Sequence, residues 1–145
     1  MQPDLSAKIM KGLETQKAGY AHLLELADQQ KAAIIADDDA RLRELVRNKE
    51  QRLQDLRRAE KGLLETVDTL SRAEREHMRE QAAALQEEVV TLMEKLIEIE
   101  TDCAERLKSK KLETRDELTD LKHRKQRIQG YGTFRQKGTG FSGDA

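Results

Sequence analysis

Apolar side chains recur at spacings of three and four residues along most of this chain, which is the period of an α-helix with one buried face. The most regular positions alternate spacings of four and three: Met78, Ala82, Leu85, Val89, Leu92, Leu96, Ile99 and Cys103. Such alternation is the heptad seam of a coiled coil. A second apolar stripe flanks this seam: Val90, Met93, Ile97 and Ala104. A helix that is apolar over so wide an arc is expected to pack against two neighbours.

Two polar segments divide the helical pattern. The acidic triplet at residues 37–39 suits the start of a helix, because Asp side chains accept hydrogen bonds from free amides and favour the positive end of the helix dipole. Ser71 and Glu74 have the spacing of a capping box, in which each side chain accepts from the other residue's amide. Three helices are therefore predicted, over about residues 4–36, 40–70 and 72–128. Because no glycine marks the second boundary, a continuous second and third helix stays open.

The first predicted helix has the weakest pattern. Its apolar stripe thins around Gln16 and Lys17. Gly12 and Gly19 each lower helix stability by about 1 kcal/mol relative to alanine. We therefore expect the first half of the chain to be the less secure part of the fold.

Composition agrees with the helical pattern. Charged residues make up 38% of the 145 residues, aromatic residues make up 3%, and Pro3 is the single proline. Such a mixture of strong helix formers is typical of coiled coils and long helices. We predict an all-α protein, an elongated antiparallel three-helix bundle or coiled coil. It forms one domain over residues 1–129, with an overhanging long third helix and a flexible glycine-rich tail over residues 130–145.

Three features predict a cytoplasmic location. No stretch approaches 18 consecutive apolar residues, so membrane insertion is not expected. The first residues lack the basic start and apolar run of a secretory signal. The single cysteine, Cys103, suits a reducing compartment. Because Cys103 occupies a seam position, we expect it to be a buried packing residue and not a reactive thiol.

Nothing in the sequence favours catalysis. The glycine motif G-x-G-x-x-G at residues 138–143 indicates dinucleotide binding only between a strand and a helix, and almost no chain follows it. His22, His77 and His123 fall on separate segments without a matched acid, nucleophile or ligand. Catalysis needs groups that converge in a water-excluding pocket. We therefore expect no enzyme activity, no metal and no cofactor.

Charge changes sign along the third predicted helix. Residues 72–103 carry a net charge of −5, and residues 104–129 carry a net charge of +4. Nucleic-acid binding would need a larger positive field or stacking aromatics on the same surface, so nucleic acid is not an expected partner. A solvated helix face and an acidic protein partner both stay open as explanations of the basic stretch.

The third predicted helix is longer than its partners. At 1.5 Å per residue it spans roughly 85 Å, against roughly 50 Å and roughly 45 Å for the first and second helices. Burying one of its distal apolar side chains would contribute roughly 1.5–3 kcal/mol, so either a partner covers them or the helix frays or folds back. The candidate binding residues belong to the distal seam and the second stripe: Leu107, Leu118, Leu121 and Ile128, with Val90, Met93 and Ile97.

Residues 22–60 resemble the FlgN family of flagellar export chaperones. That family shows a leucine-rich first helix, an "x-I-I-x-x-D" turn and "L-x-x-L-x-x-x-K" at the start of the second helix. The matching positions here are Ile34, Ile35, the acidic triplet, Leu42, Leu45 and Lys49. The chain length, the long third helix and the Tyr131-Gly132 pair in the tail are also similar.

The resemblance implies a cytoplasmic chaperone for hook-associated proteins of the hook–filament junction. Such a chaperone holds a helical terminal segment of its substrate and delivers it to the export gate or the export ATPase. By position, the resemblance assigns substrate binding to the distal third helix, and it assigns docking on the export apparatus to Tyr131 and Phe134. The sparse apolar content between Lys108 and Glu117 departs from a continuous binding face.

Two other functions stay open. A structural coiled-coil component of the export apparatus, such as the stalk of an ATPase ring, would keep its apolar stripes paired along the full length. A homodimeric scaffold would cover the distal stripe of one copy with that of the other. The oligomeric state therefore separates capture of a partner from self-association.

Overall fold

The chain forms three α-helices joined by two short turns in the part that this computed structural model describes, which is the backbone of residues 3–121 and the side chains of residues 4–112. The helices are α1 (Pro3–Ile35), α2 (Asp39–Asp68) and α3 (Arg72–Leu121). The all-α, three-helix prediction is confirmed. The predicted ends of the third helix near residue 128 and of the domain at residue 129 lie outside the described residues. The chain divides into two compact units, Met1–Arg106 and Leu107–Ala145.

Within the first unit the helices run up, down and up. Polar contacts between α1 and α3 advance in the same direction along both helices: Ser6 with Gln81, Lys17 with Glu88, and Lys31 with Asp102. Contacts between α1 and α2 run in opposite directions: Gln16 with Glu60, and Gln30 with Lys49. Therefore α2 is antiparallel to both neighbours, while α1 and α3 are parallel to each other.

The predicted seam of α3 faces the other two helices. Five of its residues are buried: Met78, Ala82, Leu85, Val89 and Cys103. The remaining three, Leu92, Leu96 and Ile99, are half-buried. The first part of the seam packs with apolar residues of α1 and of the end of α2: Ile9, Leu13, Leu63, Val67 and Leu70. The seam prediction is confirmed along its whole length.

The two glycines of α1 lie where a leucine of α2 packs directly against the helix backbone. A Cβ atom built on Gly12 would be 2.9 Å from Cδ1 of Leu63, and one built on Gly19 would be 2.9 Å from Cδ1 of Leu56. Both distances are shorter than real Cβ contacts, so glycine permits an approach that alanine would obstruct. The helix α1 is continuous through both glycines and packs closely against α2 there, and the expected lower stability of this segment stays a prediction.

The first turn contains both a helix end and a helix start. Asp37 has a positive φ of 58°, and the amides of Asp37 and Asp38 bond to the carbonyls of Ile34 and Ala33, which is the Schellman arrangement. The Asp38 side chain then accepts a bond of 3.1 Å from the amide of Arg41 and caps α2. The acidic triplet therefore ends α1 and begins α2, and the predicted boundary is confirmed.

The second turn contains the predicted capping box. The amide of Glu74 donates to Oγ of Ser71 at 3.1 Å, and the amide of Ser71 donates to Oε1 of Glu74 at 2.9 Å. The bond donated by the Ser71 amide is the main cause of a lowered pKa of the Glu74 carboxyl group. Because α2 ends at Asp68 and α3 begins at Arg72, the alternative of one continuous helix is wrong.

Candidate functional site

An exposed apolar strip runs along α3 beside the buried seam. Val90 is 50% exposed and Ile97 is 62% exposed, although the adjacent Val89 belongs to the core. Met93 is half-buried and Ala104 is exposed. Their spacings of three, four and seven residues place these side chains on one face of the helix. We call Val90, Met93, Ile97 and Ala104 the outer strip.

Acidic residues flank the outer strip on one side. At helical spacing, Glu94 and Glu98 follow Val90 along the edge that faces away from the seam. Glu87 and Glu105 extend the same row, and all four side chains are exposed. The outer strip therefore combines an apolar centre with a negatively charged edge.

The distal candidate residues fall in the second unit. Leu107 is half-buried, and Leu112, which lies off the seam, is 47% exposed. Leu118 and Leu121 lie within α3, but their side chains are not among those described. Ile128, Tyr131 and Phe134 lie outside the described residues, so their assigned roles stay predictions.

A groove of about 890 Å³ opens between the second half of α2 and the first turns of α3. Its floor and walls are apolar: Ile9, Leu13, Leu63, Leu64, Val67, Leu70, Met78 and Ala82. Leu64 is 64% exposed, which is more than any other large apolar side chain described. The sequence carried one signal of this groove, since apolar residues at 63, 64, 67 and 70 cover a wider arc than a single seam needs.

The rim of the groove is mostly basic. Arg57 and Lys61 lie on the α2 side, and Arg75 and Arg79 lie on the α3 side. The one acidic residue of the lining, Glu60, accepts hydrogen bonds from Gln16 at 2.6 Å and from the hydroxyl of Tyr20 at 2.9 Å. Burial, aided by this bond to Glu60, raises the pKa of Tyr20 to about 12, so the hydroxyl stays a donor at neutral pH.

A polar cluster ties the three helices together beside Cys103. The ammonium group of Lys49 contacts Oε1 of Gln30 at 2.9 Å and Oε2 of Glu100 at 2.7 Å. The amide of Gln30 donates to the other carboxylate oxygen of Glu100 at 3.4 Å, which closes a ring of side chains from α1, α2 and α3. Gln30 is the single buried polar or charged residue within the described part of the chain. Sequence reasoning missed this cluster, because each member alone looks like an ordinary surface residue.

Cys103 is a packing residue, as predicted. Its side chain is 1% exposed, and its Sγ lies 4.0 Å from the carbonyl oxygen of Ala27. Burial raises the pKa of the Cys103 thiol, and the nearby Glu100 carboxylate adds to the shift. A buried thiol held in its neutral form is a poor nucleophile.

Two other kinds of site are absent from the described residues. No group of three or more His, Cys, Asp or Glu side chains is arranged to hold a metal ion there. No helix in the same part of the chain carries a stretch that is long and apolar enough to cross a lipid bilayer.

Comparisons of this chain with protein-family models, with curated proteins and with solved structures find no match. The likeness to the FlgN family therefore stays a prediction from the residues quoted above. The features that bear on function are the outer strip and the groove.

Proposed function

We propose that this protein is a cytoplasmic export chaperone of the flagellar type, which binds helical terminal segments of hook-associated junction proteins and delivers them to the export gate. It carries out no chemical reaction and needs no cofactor. The observation that carries the proposal is the outer strip, where Val90 and Ile97 are exposed on a helix whose adjoining face is already packed. The resemblance of residues 22–60 to the FlgN family supplies the class of substrate.

Covering the outer strip would stabilise a complex. Fully burying a Val or Ile side chain contributes roughly 1.5–3 kcal/mol. Val90 and Ile97 lie one heptad apart, so an amphipathic helix laid alongside α3 can contact both with residues at the same spacing. Binding of this kind holds a partner's apolar face out of water, which is what a chaperone for an unassembled helical protein has to do.

Charge indicates which helix the strip would prefer. The row of exposed carboxylates beside the strip, which includes Glu94 and Glu98, would attract a segment with basic residues along one edge. Charge complementarity at a rim speeds association and selects partners more than it raises affinity. We therefore expect the bound segment of the junction protein to carry Lys or Arg beside its apolar face.

The proposal is tested by binding measurements on two matched variants. Val90→Ser with Ile97→Ser removes the centre of the outer strip, while Ile35→Ser removes an apolar side chain of similar exposure at the end of α1. Both should keep the circular dichroism spectrum of the unaltered chain, because all three residues are exposed. We expect the double variant to bind a purified junction protein about tenfold more weakly or worse. Ile35→Ser should bind as the unaltered chain does.

The outcomes separate the site from the function. If the unaltered chain does not bind any hook-associated junction protein, the proposed function is wrong. If it binds them and the Val90/Ile97 variant binds equally well, the outer strip is the wrong site. Leu118→Asp with Leu121→Asp tests the distal part of α3 in the same assay. Mass measurement in solution tests self-association, because a stable dimer that the outer-strip variant disrupts would favour the homodimeric scaffold.

A further inference from the structure

We propose that the groove between α2 and α3 is a second docking surface, and that it takes an amphipathic helix of another protein with an acidic polar edge. The outer strip and the groove are formed by different residues, so this inference does not depend on the export function. It rests on the apolar floor of the groove together with the charges on its rim.

The floor of the groove is built from all three helices. Ile9 and Leu13 of α1 lie at its base, Val67 lies on the α2 side, and Met78 and Ala82 lie on the α3 side. Most of these side chains already pack with one another, so the surface is set before any partner arrives. A preformed apolar surface lowers the cost of binding, since few side chains have to be ordered.

Leu64 shows that the groove lacks a cover. Its side chain is 64% exposed, although the neighbouring Leu63 packs against the core cluster. The apolar residues of a partner helix would meet Leu64 on one side and the floor beneath it. This is the helix-in-groove mode of recognition, in which residues at spacings of three and four anchor one apolar face.

The rim determines the sign of the partner's charge. Arg57 and Lys61 are one turn apart on α2, and both are exposed. Arg75 and Arg79 are one turn apart on α3, where Arg75 contacts Asp68 and Arg79 contacts Glu76. A helix between these two rows would have basic side chains along both edges.

The acidic residue of the lining is oriented toward α1 and not toward the open side of the groove. Glu60 is half-buried, and its Oε2 accepts bonds from both Gln16 and Tyr20. Its carboxylate is therefore engaged with α1, whereas the side chains of Arg57 and Lys61 face solvent. An acidic edge on the partner would contact these two cations first, and it is this complementarity that favours an acidic helix over a basic one.

Two synthetic peptides test the proposal on the full chain. One is an 18-residue amphipathic helix with leucines on one face and glutamates along both polar edges. The other has lysine in place of every glutamate. Fluorescence anisotropy of the labelled peptides at low salt is measured on the chain with Val90→Ser and Ile97→Ser, which lacks the centre of the outer strip. The glutamate peptide should bind this chain at least about tenfold more tightly than the lysine peptide does. The outer strip has the opposite charge, so any binding there should favour the lysine peptide.

Matched variants test whether the glutamate peptide binds in the groove. Arg57→Glu with Lys61→Glu should weaken binding of the glutamate peptide about tenfold or more. Arg43→Glu with Arg47→Glu makes the same change of charge at the same spacing on α2, away from the groove, and should have a much smaller effect. Leu64→Ser should also weaken binding about tenfold, while the similarly exposed Ile35→Ser should leave it unchanged.

Three results would overturn the proposal. The first is no binding of the glutamate peptide, or equal binding of the two peptides, by the chain with Val90→Ser and Ile97→Ser. The second is equal loss of binding in the two charge-reversed variants, which would indicate net charge and not the groove. The third is a stable dimer in solution that Leu64→Ser dissociates, because a second copy of the chain would then be the occupant.

Discussion

The ammonium group of Lys49 in α2 lies 2.7 Å from a carboxylate oxygen of Glu100 in α3, with side chains 16% and 33% exposed. Gln30 of α1 contacts both partners. A partly buried ion pair adds more to stability when its remaining hydrogen-bonding groups are satisfied, and Gln30 bonds to both of its members. The cluster favours one register for all three helices, because sliding α2 or α3 by a turn would separate the charges and sliding α1 would remove Gln30 from both partners.

Removing one member of this ion pair should lower the free energy of unfolding more than removing both members. We expect Lys49→Met to lower the free energy of unfolding by about 1–3 kcal/mol, because Glu100 loses its cation while partly buried. The double change Lys49→Met with Glu100→Leu should come within about 1 kcal/mol of the unaltered chain. Urea unfolding of the four proteins gives the coupling energy.

The exposed pair Lys17–Glu88, which joins α1 and α3 at 2.9 Å, should show coupling below about 1 kcal/mol. Strictly additive effects of the Lys49 and Glu100 changes would contradict the role given to the cluster.

Replacing Gly12, Gly19 and Gly62 with alanine, one at a time, should change the free energy of unfolding differently at each position. A Cβ atom added at Gly62 would have no atom within 4 Å, so Gly62→Ala should raise the free energy of unfolding by about 1 kcal/mol. Gly19→Ala should lower it, because the Cβ would displace the buried Leu56. Gly12→Ala should fall between the two, since Leu63 is only half-buried and can move. Thermal unfolding measures all three, and a gain at Gly19 equal to that at Gly62 would contradict the close approach of α1 and α2.

The capping box should make stability depend on pH in the acid range. The folded state lowers the pKa of Glu74, so this carboxylate stabilises the protein above its ordinary pKa of about 4.5 and loses that effect as the pH falls through the folded value. Glu74→Gln retains an oxygen that can accept from the Ser71 amide but does not titrate. We therefore expect the stability difference between the two proteins to shrink from pH 6 to about pH 3, as followed by urea unfolding.

A stability difference between these two proteins that is constant across this pH range would contradict the lowered pKa of Glu74. Asp102 adds to the acid sensitivity of both proteins, because its pKa is also lowered, chiefly by Lys31. It affects the variant and the unaltered chain alike, so it cancels in the comparison.

The thiol of Cys103 should react only when the bundle opens. We expect alkylation by iodoacetamide to be slower by a factor of about 10³ or more in the folded chain than in urea, because the fraction of molecules with an accessible thiol is that small. A matched control carries Cys103→Ala and Ala104→Cys, which moves the thiol by one residue to an exposed position. The control should react at nearly the rate of the unfolded chain. Fast labelling of Cys103 in the folded protein would show that the bundle opens locally around it.

The sequence predicted the features that depend on nearby positions. The seam from Met78 to Cys103, the capping box of Ser71 and Glu74, and the acidic first turn were all predictable, because each is set by the spacing of residues along one stretch of chain. The second stripe was also visible as a pattern. Whether a stripe is packed or exposed depends on where the other helices lie, so the exposure of Val90 and Ile97 required the structure.

Features that join distant residues could not be predicted in the same way. From the sequence, Gly12 and Gly19 are simply poor helix formers. Their contacts with Leu63 and Leu56 are visible only in the structure. The groove was not predicted either, because the wide apolar arc over residues 63–70 does not show whether Leu64 is packed or exposed. The glycine contacts join residues that are 37 and 51 positions apart in the sequence, and the pattern along one stretch of chain does not show such pairings.

The glycines of α1 also provide a means of finding distant relatives. Two glycines seven residues apart are matched by two leucines seven residues apart in α2, and the first glycine meets the second leucine because the helices are antiparallel. An insertion or deletion between the two glycines would rotate one of them away from its leucine, unless the spacing of the leucines changed by the same length. A homologue that keeps this packing of α1 on α2 is therefore expected to keep the crossed, equally spaced pairing of small and large residues.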